Sequence, residues 1–98
     1  MTVKIQSIHF DADKKLIDFI QEKVNKLNQF YDEIVSSEVI LKLDNNGENN
    51  KITEIRLYVP GNDLFAKKSG KSFEEATDHV VEALTKQIKK HKEKIRGL

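Results

Sequence analysis

Hydrophobic residues recur with two different periods along the first half of the chain, and each period predicts one kind of element. Alternation over residues 3–10 predicts a first strand, and alternation over residues 34–43 predicts a second. Between them the apolar residues lie three and four positions apart, as is typical of an amphipathic helix: Leu16, Ile17, Ile20, Val24 and Leu27. We expect this helix to begin at Lys14, with Asp13 as its N-cap, and to end near Asn28.

The second half of the chain predicts two more strands and a long helix. An Asn- and Gly-rich hairpin loop over residues 44–50 precedes a strand whose inward side is Ile55, Leu57 and Val59. A turn over residues 60–63 leads to a short strand over residues 64–68, and Ser72 with Glu75 forms a capping box before the last helix. The apolar stripe of that helix is Phe73, Val80, Leu84, Ile88, His91 and Ile95.

The resulting order, β-α-β-β-β-α, predicts an α+β fold with a four-stranded mixed sheet and both helices packed on one face. A right-handed crossover through the first helix makes strands one and two parallel neighbours, and strands two to four form an antiparallel meander. The order from Lys14 onward is that of double-stranded-RNA-binding domains. A chain of 98 residues predicts a single domain over residues 1–98, with a flexible C-terminus from about residue 95.

Composition excludes several classes of protein. The chain has no Cys, which excludes disulfides, thiolate metal sites and thiol nucleophiles. No apolar run approaches the roughly 20 residues that span a bilayer, and the N-terminus lacks the order of a secretory signal. We therefore expect a cytoplasmic protein that has no membrane partner.

Charge is separated along the chain, although the formal net charge is only +1. Residues 1–85 contain 11 Lys and Arg against 15 Asp and Glu, a balance of −4, and residues 86–98 contain six basic residues against one acidic residue, a balance of +5. A local positive field of this kind is what a polyanion would meet. The C-terminal end is therefore the first candidate for a functional surface.

The basic residues at this end cover the arc of the last helix that the apolar stripe leaves free: Lys86, Lys89, Lys90, Lys92, Lys94 and Arg96. The helix macrodipole favours two or three lysines here, but six cations in 11 residues repel one another at i, i+4 spacing. An anionic partner would offset this repulsion. On the first helix Lys23 and Lys26 share one flank, where they extend the basic surface or remain solvated, and Lys67, Lys68 and Lys71 form a third cluster without an assigned role.

Patterns for catalysis or metal binding are weak. Gly70-Lys71-Ser72 resembles the end of a phosphate-binding loop, but that loop needs a glycine where Phe65 stands. The three histidines are too scattered to share a metal, and His91 lies on the apolar stripe as a packing residue. We therefore expect no catalytic residue, metal, cofactor or small-molecule substrate.

The positive charge lies on predicted helices rather than on an aromatic-rich sheet. The third strand has one Tyr and lacks the aromatic signature of an RNA-recognition motif. Helical cations suit contacts to the backbone of folded RNA better than stacking of bases on a sheet.

Three spaced segments carry a family resemblance: residues 59–66 (VPGNDLFA), 72–76 (SFEEA) and 86–92 (KQIKKHK), which follow KVNKL at residues 23–27. In this order the chain resembles the bacterial family of ribosome hibernation promoting factors and ribosome-associated translation inhibitors. Since the sequence stops at Leu98, it resembles the short form of that family, without the dimerisation domain of the long form.

The resemblance implies a stress or stationary-phase factor that binds small-subunit rRNA in the channel for mRNA and tRNA and inhibits translation by occupying it. It carries RNA contacts onto Lys23, Lys26, Lys86, Lys89, Lys90 and Lys92. Lys94 and Arg96 extend this surface by charge alone. The free protein is expected to be a monomer. The alternative is a protein-interaction module whose basic helix binds an acidic partner.

Overall fold

The computed structural model describes residues 1–44 and 47–95. Its elements are β1 (Thr2–Ser7), α1 (Lys14–Asn25), β2 (Ser36–Leu43), β3 (Lys51–Val59), β4 (Asn62–Gly70) and α2 (Phe73–Ile95). A 3₁₀ turn (Lys26–Gln29) follows α1. The predicted order is confirmed. Residues 45 and 46 of the predicted hairpin loop lie outside the described residues.

The strands form one sheet in the order β1-β2-β3-β4. β1 pairs with β2 in parallel, and β2, β3 and β4 pair in antiparallel fashion, as the sequence predicts. The register places Ile5 opposite Val39, Val39 opposite Ile55 and Ile55 opposite Ala66. Because side chains alternate between the two faces of a strand, these four residues mark one apolar face of the sheet.

Both helices cover this face and complete a single core. α1 contributes Leu16, Ile20 and Val24, and Leu27 of the 3₁₀ turn is also fully buried. α2 contributes its apolar stripe, the fully buried part of which is Val80, Leu84 and Ile88. The amphipathic spacing of both helices thus places their apolar sides on the sheet, where burial of each large side chain stabilises the fold by about 1.5–3 kcal/mol.

The two helices run in the same direction. Three contacts occur in the same order along both segments, namely Phe10 with Phe73, Lys23 with Asp78, and Tyr31 with His91. The first of these is a stacked pair of rings whose centroids lie 5.0 Å apart. The end of the 3₁₀ turn therefore lies beside the C-terminal half of α2, where the lysines are concentrated.

Both helix starts follow the predicted chemistry. The Asp13 carboxylate accepts a hydrogen bond from the Leu16 backbone N–H at 2.9 Å, which confirms it as the N-cap of α1. At α2 the Ser72 hydroxyl accepts from the Glu75 N–H at 3.0 Å. The Glu75 carboxylate accepts from the Lys71 N–H at 2.8 Å, one residue before the position of an ideal capping box.

The predicted first strand is too long by three residues. β1 ends at Ser7, and His9 adopts a positive φ of 67°, which turns the chain. The Ser7 hydroxyl donates to the Phe10 carbonyl at 2.7 Å and closes this turn. Phe10 is thereby directed onto Phe73 rather than into the sheet.

Other boundaries also differ. The α-helical part of the first helix ends at Asn25, and the predicted helix continues to Gln29 only as the 3₁₀ turn. β2 begins at Ser36 rather than at residue 34, and β4 extends over Asn62–Gly70 rather than residues 64–68. The turn before β4 is shorter than predicted because Gly61, at φ 80°, reverses the chain within two residues.

The predicted apolar stripe of α2 is wrong at its last member. Ile95 is 55% exposed, whereas His91, one turn earlier, is buried against Tyr31. The packing partners of α2 thus end near residue 91. Arg96 and the remainder of the predicted flexible C-terminus lie outside the described residues. Neither α1 nor α2 is long and apolar enough to cross a membrane.

Candidate nucleic-acid interface

The lysines of α2 occupy the side of the helix that faces away from the core. Their backbone is positioned by the buried residues Leu84, Ile88 and His91, which pack against the sheet and the 3₁₀ turn. Four of the five lysines are exposed, and Lys92 is half-buried. The five lysines that the sequence analysis assigned to this surface thus all lie on the C-terminal half of α2. Arg96, the sixth predicted cation, lies outside the described residues.

Within this group Lys89, Lys90 and Lys94 are exposed and have no carboxylate within 4.0 Å among the described residues. Lys90 and Lys94 lie on the side of α2 that faces the start of β4, where they line a groove. Lys89 lies three residues before Lys92, so the two are neighbours on the helix surface. The basic surface therefore wraps around the C-terminal half of α2.

One face of α2 changes sign along its length. Residues spaced four apart lie above one another on a helix, and here they are Asp78, Glu82, Lys86, Lys90 and Lys94. The acidic members lie near the N-terminus and the basic members near the C-terminus, which the macrodipole favours by about 0.3–1 kcal/mol per charge. The positive field is therefore confined to the second half of the helix.

At the junction, Lys86 lies 3.8 Å from a Glu82 carboxylate oxygen. Their side chains are 74% and 69% exposed. Exposed pairs of this kind stabilise a protein by about 0–1 kcal/mol. A phosphate group of a bound nucleic acid can therefore replace the carboxylate as the partner of Lys86. Lys86 also borders a groove whose other lining residues are Lys68, His79, Glu82 and Ala83.

The two lysines predicted on the first helix segment are both paired with carboxylates. Lys23 approaches Asp78 of α2 at 3.3 Å, and its ammonium lies 5.4 Å from the centroid of the Phe19 ring. Lys26, in the 3₁₀ turn, lies 3.9 Å from Glu22. Asp78 is eight residues before Lys86, which is about 12 Å along the helix axis. Lys23 therefore borders the acidic half of α2 rather than the lysine cluster.

Lys92 makes a different contact, since its ammonium donates a hydrogen bond to the Phe30 backbone carbonyl at 2.8 Å. Asn28, Gln29, Phe30, Tyr31, Asp32, Lys92 and Ile95 line a pocket at this point. Phe30 is 44% exposed. The sequence patterns do not single out Phe30, because the first helix is expected to end near Asn28 and the next predicted strand to begin at residue 34, which leaves this residue without a role. The Phe-Tyr pair after a helix, opposite the lysines of another, is the signal that could have found it.

The opposite face of the sheet carries charges that are mostly paired with one another. The Glu54 carboxylate contacts Lys42 and lies 4.0 Å from Lys67. The Tyr58 hydroxyl donates to Glu38 at 2.8 Å, a hydrogen bond that raises the pKa of Tyr58 above its ordinary value. Such self-paired charges give no field of a single sign, so this face is the weaker candidate for binding a polyanion. Among residues 1–44 and 47–95, no group of three His, Cys, Asp or Glu residues could hold a metal ion.

Comparison with known proteins identifies the family to which this sequence is similar. A family model described as "Sigma 54 modulation protein / S30EA ribosomal protein" matches residues 3–96. A "Ribosome hibernation promoting factor" of Pseudomonas putida is 30% identical over 98 residues, which cover all of this chain and 93% of that protein. A protein of the same name from Klebsiella oxytoca is 28% identical over 96 residues and covers 98% of both chains.

Similarity extends to a solved structure. A ribosomal subunit interface protein from Coxiella burnetii superposes with a TM-score of 0.85 and covers 94% of this chain and 98% of its own. Its sequence identity is 20%, so this comparison supports the fold alone.

Proposed function

This chain belongs to the Sigma 54 modulation protein / S30EA ribosomal protein family, and we propose that it is a ribosome hibernation factor. In this proposal it binds small-subunit rRNA in the channel for mRNA and tRNA and thereby inhibits translation under stress or in stationary phase. The relatives named as hibernation promoting factors support the role. The protein acts by occupancy, and no bond is made or broken.

The observation that carries the proposal is the set of three exposed lysines without carboxylate partners, Lys89, Lys90 and Lys94, among the described residues of α2. Ammonium groups that contact phosphates release condensed counterions, which drives binding and makes it sensitive to salt. The sheet and α1 hold α2 rigidly from behind. The charged surface is therefore preorganised up to about residue 91, which includes Lys89 and Lys90, and there binding requires little ordering of the backbone.

The paired lysines contribute in a second way. Lys23, Lys26 and Lys86 each share a carboxylate in an exposed or half-exposed pair, and such pairs are weak. A phosphate group can take over the ammonium while the carboxylate returns to water. We therefore assign these three lysines to the outer part of the interface, and we assign Lys92 to its edge near Phe30. Residues 1–98 act as one ribosome-binding domain, and the free protein is a monomer.

The salt dependence of binding to purified small subunits tests the mechanism. Three phosphate contacts predict that log affinity falls against log salt with a slope of about −2 to −3, and six contacts predict about −4 to −5. A slope near zero would contradict the electrostatic mechanism. Unlabelled mRNA and tRNA are added as competitors, and both should displace the protein if it occupies their channel.

A charge-reversed variant tests the site. Lys86, Lys89 and Lys90 are replaced by Glu. This change should weaken binding to small subunits by at least tenfold, because each lost phosphate contact reduces the number of counterions that binding releases. The matched control reverses Lys4, Lys14 and Lys15, which are exposed lysines remote from the end of α2. The control carries the same change in net charge and should bind almost as the parent protein does. Equal binding by both variants would contradict the assignment of the site.

Sedimentation of a cell extract through a sucrose gradient separates the proposal from binding to an acidic protein partner. A hibernation factor should move with small subunits or whole ribosomes in extracts of stationary-phase cells. Migration at the top of the gradient, or with a smaller complex, would favour the acidic partner.

A further inference from the structure

The pocket beside Lys92 has the chemistry of a binding site for a planar ring. Two apolar side chains, Phe30 and Ile95, line it and are 44% and 55% exposed. The other lining residues are buried Tyr31 and the polar residues Asn28, Gln29, Asp32 and Lys92. An exposed aromatic ring among hydrogen-bonding groups is well suited to a ligand with an apolar face and a polar edge.

We propose that this pocket holds one unpaired RNA base, stacked on the Phe30 ring. The inference deepens the proposed function and rests on it, because the base would belong to the RNA whose phosphates contact α2. Unstacked bases in loops and bulges are commonly recognised by stacking on aromatic side chains and by hydrogen bonds to their edges. A base in a regular duplex is not available for such stacking, so the occupant must come from a single-stranded segment, loop or bulge.

Position along the basic surface supports this occupant. Lys92 lines the pocket, and exposed Lys89 is its neighbour one helical turn earlier. Phosphates that contact these lysines would bring their attached nucleotides to the mouth of the pocket. The Lys92 ammonium, now 2.8 Å from the Phe30 carbonyl, can exchange this neutral acceptor for a charged phosphate oxygen.

Asn28 provides a second argument for an RNA base as the occupant of the pocket. Its side-chain oxygen is buried and has no hydrogen-bond partner among the residues that the structure describes. A buried acceptor without a donor destabilises a protein by about 1–3 kcal/mol. Rotation of the Asn28 amide toward the pocket that this residue lines would offer the oxygen to the exocyclic amino group of adenine, cytosine or guanine, and uracil has no such group.

The test uses small-subunit binding by substitutions at one position. Phe30→Leu keeps an apolar side chain and removes the aromatic face, whereas Phe30→Tyr keeps the face. The matched control is Phe65→Leu, since Phe65 is 40% exposed on the opposite face of the sheet. Stacking on an aromatic residue predicts that Phe30→Leu weakens binding by roughly 5-fold or more. Phe30→Tyr and Phe65→Leu should bind within about twofold of the parent protein by the same reasoning.

The salt slope separates stacking from phosphate contact. Phe30→Leu removes no charge, so its slope of log affinity against log salt should equal that of the parent protein. Equal affinity of Phe30→Leu and the parent would overturn the pocket and leave the proposed function intact. Equal weakening by Phe30→Leu and Phe65→Leu, or by Phe30→Leu and Phe30→Tyr, would also overturn it. Failure of the parent protein itself to bind small subunits would instead overturn the proposed function.

Discussion

The rings of Tyr31 and His91 meet edge to face, with their centroids 5.5 Å apart and an angle of 74° between their planes. This contact joins the segment that follows the 3₁₀ turn to the C-terminal half of α2. It lies directly beneath the lysines of the proposed interface, because His91 is buried between exposed Lys90 and half-buried Lys92. The contact between Tyr31 and His91 therefore marks the point along α2 up to which the rest of the protein holds the helix, and with it the lysines, in place.

Removal of the imidazole should destabilise the protein through lost packing rather than through a lost hydrogen bond. The Nε2 atom of His91 is buried without a partner among the described residues. We expect His91→Ala to lower the free energy of unfolding by about 2 kcal/mol and His91→Leu to lower it by less than about 1 kcal/mol, since Leu refills the space and needs no partner. Urea denaturation measures both. A larger loss for Leu than for Ala would show that the ring makes an essential polar contact.

Alkaline pH should weaken the same end of the molecule. Burial raises the pKa of Tyr31 above its ordinary value of 10.0, and the hydrogen bond from its hydroxyl to Glu33 raises it further. A folded-state pKa above the unfolded value means that this contribution to stability is fully present below about pH 10 and is lost as pH rises through the folded pKa. The free energy of unfolding of the parent protein and of Tyr31→Phe, measured from pH 8 to 12, tests this contribution. The parent should lose more stability than Tyr31→Phe over this range, and parallel curves would contradict the prediction.

Neutralisation of Asp78 should strengthen binding to small subunits. Asp78→Asn removes the carboxylate 3.3 Å from Lys23 and leaves that lysine available to phosphate. We expect a gain of severalfold at low salt that shrinks as salt is added, and a change in stability below about 1 kcal/mol. The matched control is Asp18→Asn, which makes the same change of charge beside Lys14 near the start of α1, remote from the end of α2. An equal gain in the control would show only an effect of net charge.

Close packing at the end of β4 predicts that Gly70 does not tolerate a side chain. A Cβ atom there would lie 2.8 Å from the Ala76 backbone nitrogen, which the helix start holds in place. We expect Gly70→Ala to destabilise the protein by about 1–3 kcal/mol. Thermal unfolding of this variant is compared with that of Ser69→Ala, a change at the exposed preceding residue. Similar unfolding temperatures for the two variants would contradict the close approach.

Much of the fold follows from short-range patterns. The two-residue and three-to-four-residue periods identify all six elements, because a buried face imposes its period on strands and helices. Asp13 and Ser72 mark the helix starts, since only a few side chains can accept the first free backbone N–H groups. The parallel pairing of β1 with β2 follows from the handedness of crossover connections. Charge counting along the chain locates the lysine cluster on α2.

Only the tertiary structure decided which of these charges stand free and which are paired. Lys23 and Asp78 are 55 positions apart in the sequence, and their ion pair exists because α1 and α2 pack side by side. The exposure of Ile95, the turn at His9 and the pocket at Phe30 depend in the same way on where a neighbouring segment ends. A local pattern reports which side of a helix or strand is buried, but long-range packing determines how far along its length a partner covers it.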